Sequence, residues 1–102
     1  MVIAYQRRLF SFAVARRRVV REDLSRGVLE RVAREFGVTP ERIVSHERTK
    51  PLCEARWVIV GLLRQHGPMA LGRLLDRDHA TIIHAERAFD ARPDLQAIAS
   101  RL

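Results

Sequence analysis

The sequence predicts a small all-α domain, and three observations lead to this prediction. Apolar residues recur every three or four positions through most of residues 25–102, which is the spacing of one helix face. No stretch alternates convincingly between apolar and polar residues, as a half-buried strand would. The chain has 102 residues, of which 47% are hydrophobic, so it can bury the core of one compact domain without a metal or a disulfide.

Two helices are predicted before residue 45. The first ends at Gly37 and carries an apolar stripe that comprises Val28, Leu29, Val32, Ala33 and Phe36. The stretch VTPERIV then predicts a short helix, which Thr39 caps, with Pro40 in its first position and Glu41 near the positive end of its dipole. The following stretch, SHERTKP, predicts a polar loop over residues 45–51.

The longest predicted helix follows this loop and runs from about Leu52 to His66. Its apolar stripe comprises Val58, Ile59, Leu62 and Leu63. Gly67 ends the helix, and Pro68 begins a short one with the sequence PMALGRLL.

The remaining residues predict a tight connection and two more helices. Asp76 and Arg77 form the connection, and a helix follows from about His79 to Ala91. Pro93 breaks that helix. A last helix is marked by the apolar residues Leu95, Ile98, Ala99 and Leu102.

The basic charge is concentrated near the N-terminus. The chain carries 19 Lys and Arg against 12 Asp and Glu, a formal net charge of +7. Residues 1–21 contribute +6 of this charge, so the rest of the chain is nearly balanced at +1. We therefore divide the chain into a basic N-terminal extension, residues 1–24, and a helical domain, residues 25–102. The extension is interpreted either as a packed helix or strand with charged edges, or as a basic arm that contacts nucleic acid or a partner.

Several classes of function are disfavoured by what the sequence lacks. No apolar run approaches the ~18–20 residues of a membrane span, and there is no G-x-x-x-x-G-K-[ST] loop for a nucleotide. Cys53 is the single cysteine, so an intramolecular disulfide is impossible, and we expect it to be a small core residue. We expect a cytoplasmic protein that uses no cofactor and binds neither a membrane nor a nucleotide.

The stretch RDHATIIHAER, residues 77–87, places acidic, basic and hydroxyl groups at the front of an otherwise apolar helix. Asp78 stands at the N-cap position, where its carboxylate can accept from the free backbone N–H groups of the first turn. Ile82, Ala85 and Phe89 fall within about 60° of one another on a helical wheel and should face the core. The opposite side is small, polar and basic, and it comprises Ala80, Ile83, His84 and Arg87, with His79 at its edge.

A short helix, a tight turn and a second helix with a small polar face together predict a helix-turn-helix. In that motif the first residues of the second helix meet base edges in the major groove of DNA. The side chains of His79 and Thr81 can hydrogen-bond to bases, and Ala80 can contact a thymine methyl group. The carboxylate of Asp78 can accept from cytosine.

Metal binding and catalysis are weaker interpretations of the same stretch. His79 and His84 are separated by about 140° round a helix, too far to ligate one metal ion together. A catalytic Asp–His pair would need a nucleophile, and the neighbours of the only thiol, Cys53, form an apolar helix face. We therefore predict no metal site and no enzymatic activity.

Residues from about 25 to 102 resemble the C-terminal DNA-binding domain of the bacterial replication initiator DnaA. The stretch VLERVAREFGVTPERIVS is similar to its opening helix and the short helix that follows. RDHATIIHAER is similar to its signature, commonly R-D-H-T-T-V-x-H-A. The resemblance implies a small helical domain with a helix-turn-helix that reads short asymmetric DNA boxes.

The resemblance also implies a set of DNA-binding residues. Four positions of RDHATIIHAER match signature positions at or near major-groove bases: Arg77, Asp78, His79 and Thr81. Arg48 and Lys50 match a basic loop that reaches the minor groove and the backbone, although a solvated loop charge is an equal interpretation of Arg48. Arg56 and Arg73 resemble backbone contacts. The outward side of the helix that begins at about His79 completes the set. The predicted DNA-binding residues are Arg48, Lys50, Arg56, Arg73, Arg77, Asp78, His79, Ala80, Thr81, His84 and Arg87.

The chain departs from the family pattern at three positions and in its extent. Ala80 stands where the family usually has Thr, so a hydroxyl group is lost. Glu47 and Glu54 stand in or just after the loop, where the family is more basic, and a carboxylate that faces a phosphate would oppose binding. The ATPase module that precedes this domain in the initiator is absent, so we expect no origin opening of the initiator's kind.

These observations support two hypotheses of function. The leading one is a stand-alone, non-enzymatic protein that binds double-stranded DNA at specific sequences. Its sites would be initiator-type boxes, and its binding there would regulate replication or transcription. The alternative is a protein-interaction module that keeps the fold and has lost most base reading. The near-neutral charge of residues 22–102 and the three departures favour this alternative. The oligomeric state and the target sequence stay open.

Overall fold

The computed structural model describes residues 26–102, and most of these residues are helical. The helices are α1 (26–36), α2 (Pro40–Ile43), α3 (Lys50–Leu62), α4 (Gly67–Leu75), α5 (His79–Asp90) and α6 (Pro93–Ser100), with a 3-10 turn at Arg64–His66. This part of the chain contains no strand, so the all-α prediction is confirmed. The predicted basic extension, residues 1–24, lies outside the described residues.

Local sequence signals end α1 and begin α2 where we expect them. After α1 the backbone turns at Gly37 with φ +69°, a left-handed value that glycine adopts without steric cost. At α2 the Oγ1 atom of Thr39 accepts a hydrogen bond from the Arg42 amide at 3.2 Å, and Pro40 occupies the first turn. The predicted cap is therefore confirmed.

Both ends of α3 differ from the prediction. The helix begins at Lys50, two residues earlier than expected, because the extended backbone of Thr49 starts it and Pro51 is tolerated in its first turn. It ends at Leu62, after which the chain makes the 3-10 turn before Gly67 turns with φ +87°. Lys50 is thus the first residue of a helix and not a loop residue.

The core is built around α3. Val58, Ile59 and Val60 are consecutive and fully buried, so this helix is covered on several sides. It packs against α2, α5 and α6, and buried residues of α1 join the same core cluster. None of the described helices combines the length and the apolarity needed to cross a membrane.

The helices α4 and α5 form the predicted helix-turn-helix, and a close backbone approach sets their turn. Asp76 adopts a left-handed conformation with φ 55° and ψ 51°, and the Arg77 amide donates to the Gly72 carbonyl at 2.9 Å. A Cβ atom at Gly72 would lie only 2.6 Å from the Arg77 carbonyl oxygen. Because backbone atoms occupy that space, the turn requires glycine at this position.

Replacing Gly72 with Ala is therefore expected to destabilise the fold by about 1–3 kcal/mol, because overpacking against backbone cannot be relieved by a side-chain rotation. Urea unfolding followed by circular dichroism measures this change. Gly27→Ala is the matched control, since the nearest atom to its added Cβ is 3.9 Å away and a helical position favours Ala. Equal stability of the Gly72→Ala variant and the unsubstituted chain would contradict the packing argument.

Candidate nucleic-acid interface

The amino end of α5 is capped by Asp78. Its Oδ1 atom accepts a hydrogen bond from the Thr81 amide at 2.9 Å, which confirms the predicted cap. Hydrogen bonds from the side chain and backbone of Thr81 lower the pKa of the Asp78 carboxyl below its ordinary value. The carboxylate is therefore ionised and already engaged, which makes capping its first role at this position.

The two sides of α5 are divided as the helical wheel predicts. Ile82 and Ala85 are buried, and Phe89 packs against the core. The predicted base-reading and basic positions are all exposed: His79, Ala80, Thr81, His84 and Arg87. Ile83 is half-buried. The first turn of α5 thus presents short side chains to solvent, which is the arrangement that a recognition helix requires.

One of these exposed residues, His84, contacts the side chain of Trp57 on α3. The rings of Trp57 and His84 meet edge to face, with centroids 6.2 Å apart and planes inclined by 75°. The half-buried indole therefore restricts the orientation of the His84 ring on the outward side of α5. Sequence reasoning missed Trp57, because its helix position gives no sign of a partner on α5.

The basic loop lies beside the turn of the helix-turn-helix. The Nη2 atom of Arg77 donates a hydrogen bond to the Ser45 carbonyl, which joins the start of the loop to the residue before Asp78. Between the exposed side chains of His46 and Asp76 the Nε2–Oδ2 distance is 3.5 Å. The start of the loop therefore lies against the turn that precedes α5, although more than thirty residues separate them in sequence.

The structure does not support the expected DNA-backbone contact of Arg56. Its side chain lies in the interior, with 7% of the residue exposed, and its Nε atom donates to the Ile43 carbonyl at 2.7 Å. Its Nη2 atom donates to the carbonyls of Arg42 and Ser45. Burial lowers the pKa of this guanidinium, and the neighbouring charge of Arg77 lowers it further. Arg56 is therefore a structural residue that satisfies carbonyls at the end of α2.

Cations on the candidate interface are left without ion pairs, whereas several cations elsewhere are neutralised. Arg48, Lys50, Arg73 and Arg87 are exposed and form no ion pair within residues 26–102. Carboxylates pair with four other arginines: Arg42, Arg64, Arg92 and Arg101. Three arginines of α1 are also without an ion pair among these residues: Arg26, Arg31 and Arg34. The loop, α3, α4 and α5 thus each carry one exposed cation that forms no ion pair among the described residues, and such cations suit contact with phosphates.

The two acidic departures from the family pattern are compensated within the chain. Arg42 contacts Glu47 with an Nε–Oε1 distance of 2.9 Å. Arg92 contacts Glu54 with an Nη2–Oε2 distance of 2.8 Å, and only 15% of the Glu54 side chain is exposed. Each carboxylate therefore has a positive partner. The charge of Glu47 is cancelled, whereas that of Glu54 is cancelled in part, because Arg92 also pairs with Asp94 at 2.8 Å.

The described residues contain no group of three or more His, Cys, Asp or Glu side chains that could hold a metal ion. Within that part of the chain, the polar groups of this surface are spread along α4, the loop and one side of α5. Such a basic, hydrogen-bonding surface is suited to a polyanion with regularly spaced acceptors.

Comparison with known proteins gives one family match. The family described as the bacterial dnaA protein helix-turn-helix matches residues 26–88, from α1 to the last turn of α5. The match thus includes the basic loop, both helices of the helix-turn-helix and the signature stretch. No solved structure matches the chain significantly.

Replacing Asp78 with Ala is expected to lower the free energy of unfolding at neutral pH, because the first-turn amides of α5 lose their acceptor. The folded-state pKa of Asp78 is lowered, so its stabilisation is complete above the ordinary pKa of an Asp and is lost as the pH falls through the folded-state pKa. Urea unfolding from about pH 7 down to about pH 2 should therefore show the difference between the two proteins narrowing in acid.

Asp78→Ser is the control for this experiment. Its hydroxyl group can cap the helix but does not titrate, so its stability relative to the Ala variant should not change with pH. A difference between Asp78 and Ala that stayed constant into acid would show that the carboxylate does not cap α5.

Proposed function

Because the chain belongs to the bacterial DnaA helix-turn-helix family, we propose that it binds double-stranded DNA at specific sequences and has no enzymatic activity. One observation supports this proposal above the others. A capped helix, α5, exposes His79, Ala80 and Thr81 in its first turn, and the same domain carries exposed cations that form no ion pair among residues 26–102. That combination meets both needs of a DNA reader, which are phosphate affinity and access to base edges.

In this proposal the two kinds of residue have different tasks. Arg48, Lys50, Arg73 and Arg87 contact phosphates or the minor groove, and they supply affinity that weakens as salt is added. His79, Ala80 and Thr81 lie on the exposed first turn of α5 and meet base edges in the major groove.

We further propose that the target is an initiator-type box and that occupancy of such boxes regulates replication or transcription in the cytoplasm. The similarity of RDHATIIHAER to the family signature supports the class of target. Ala80 changes the detail, because a methyl group replaces the hydroxyl-bearing side chain usual in the family. We therefore expect a thymine methyl contact, and an altered preference, at the base pair that Ala80 meets.

A protein-interaction module that no longer reads bases is less favoured. One argument for it was that Glu47 and Glu54 would oppose a phosphate. Both carboxylates are paired with arginines of this chain, so that argument loses most of its force.

The proposal is tested by titrating the full chain against a duplex that carries an initiator-type box and a scrambled duplex of equal length and composition. We expect tighter binding to the box by a factor of about a thousand or more at moderate salt, which is the lower range for specific DNA binders. Fluorescence of Trp57, the only Trp of the chain, reports binding because its ring contacts His84 on α5. Equal and weak binding to both duplexes would remove the claim of sequence reading and favour the interaction module.

Substitutions should separate the two tasks. Arg48→Ala is expected to weaken binding to both duplexes and to lower the slope of log K against log salt by about 0.9, which is the loss of one phosphate contact. His79→Ala and Thr81→Val should instead change the preferred sequence, at a cost of ~1–3 kcal/mol per lost base contact. Arg101→Ala is the control for charge, because Arg101 pairs with Glu35 on α1. If His79 and Thr81 could be replaced without any change in preference, α5 would not be the recognition helix.

A further inference from the structure

The carbonyl oxygen of Ser45 is the point where three parts of the fold meet. It accepts a hydrogen bond from Arg56 Nη2 of α3 at 2.9 Å and another from Arg77 Nη2, which precedes α5. A carbonyl oxygen has two lone pairs, so it can serve both donors at once. The start of the basic loop is thereby fastened to the core helix on one side and to the turn of the helix-turn-helix on the other.

Arg77 is itself held by its own turn. Its Nη1 atom donates to the carbonyls of Leu75 and Asp76, both at 3.0 Å. Its guanidinium therefore spans three backbone carbonyls, two in the turn and one in the loop, and the residue is half-buried. A planar guanidinium with donors in a fixed fork makes such a bridge, whereas the single ammonium of Lys cannot reach both sides together.

The bridge holds one end of the segment that carries the exposed loop cation, Arg48. Arg48 follows Ser45 by three residues, and Lys50 begins α3. Residues 46–49 thus connect two fixed points, and one of these points is held by Arg77. The contact between His46 and Asp76 is a weaker second link, because both side chains are largely exposed to solvent.

We infer that Arg77 is a positioning residue that holds the basic loop, residues 45–49, in register with the amino end of α5. This inference rests on the proposed DNA-binding function. Arg48 of the loop and the first turn of α5 must meet one duplex together, so a fixed distance between them avoids the cost of ordering the loop when DNA binds. Arg77 acts through the loop and not as a base-reading side chain.

The first test uses the free protein. Amide hydrogen exchange of residues 46–49 is compared between the unsubstituted chain and Arg77→Lys, which keeps the charge and loses the bridge. We expect exchange at these amides to become faster by about tenfold, which is the signature of a local opening. Arg92→Lys is the matched control, since Arg92 is also a partly buried arginine with several hydrogen bonds but fastens α3 near α6. Unchanged protection of the loop in Arg77→Lys would overturn the inference.

A second variant covers the case in which Arg77→Lys does not fold. Arg77→Gln has a side chain long enough for one carbonyl of its own turn but too short to bridge to Ser45. It should show the same faster exchange at residues 46–49, with α5 still protected. Loop protection equal to that of the unsubstituted chain would again overturn the inference.

The second test is a double-mutant cycle with DNA. Arg77→Lys is expected to weaken binding to the box by about tenfold although no charge is lost, and Arg48→Ala should then cost less than about twofold in that background. Additive penalties would show that Arg77 and Arg48 act independently, which would overturn the positioning role. Failure of the unsubstituted chain to bind any duplex would defeat the proposed function, whereas the exchange experiment would still decide whether Arg77 holds the loop.

Discussion

The burial of α3 is the constraint on which the rest of the described structure depends. Three consecutive residues, Val58, Ile59 and Val60, are fully buried, and consecutive residues of a helix point in directions about 100° apart. Neighbouring helices must therefore cover α3 on several sides. The helix α5 packs against α3 and contributes Ile82, Ala85 and Phe89 to the core, so the opposite side of α5 faces solvent.

The same helix shapes the surface near the loop through one buried charge. The short helix α2 ends with carbonyls that have no partner in the helix, as every helix end does. From α3, Arg56 donates to the carbonyls of Arg42 and Ile43 in α2 and to that of Ser45 beyond it, and these hydrogen bonds offset the cost of removing a guanidinium from water. Arg77 also donates to the Ser45 carbonyl, so hydrogen bonds connect the buried Arg56, the loop and the turn before α5. The loop is therefore on the surface, but the core decides its position.

The charge that this domain presents to a partner depends more on which side chains form ion pairs than on the net charge. Residues 22–102 are nearly neutral in sum, which on its own argues against a polyanionic partner. The structure distributes that charge unevenly, since Arg42 pairs with Glu47 and Arg92 pairs with Glu54. The exposed cations of the loop, α3, α4 and α5 form no ion pair among the described residues. A polyanion thus meets a positive surface on a domain whose total charge is small.

Much of the fold was predictable because the signals that begin and end helices are local. The caps at Thr39 and Asp78, the turn at Gly37 and the break at Pro93 all act within one helical turn of the residue that carries them. The start of α3 was misplaced because a Pro in the first turn resembles a loop signal.

The sequence by itself determined the all-α class, the helix-turn-helix and which side of α5 faces solvent, since each follows from residue spacing and from caps. Only the tertiary structure decided which cations are exposed and free of hydrogen bonds to the chain's own carbonyls. It buried Arg56, bridged Arg77 to Ser45 and placed Trp57 under His84. The physical reason is distance along the chain. A helix period and a cap involve near neighbours, whereas a side chain's partners are chosen by the packing of residues far apart in sequence.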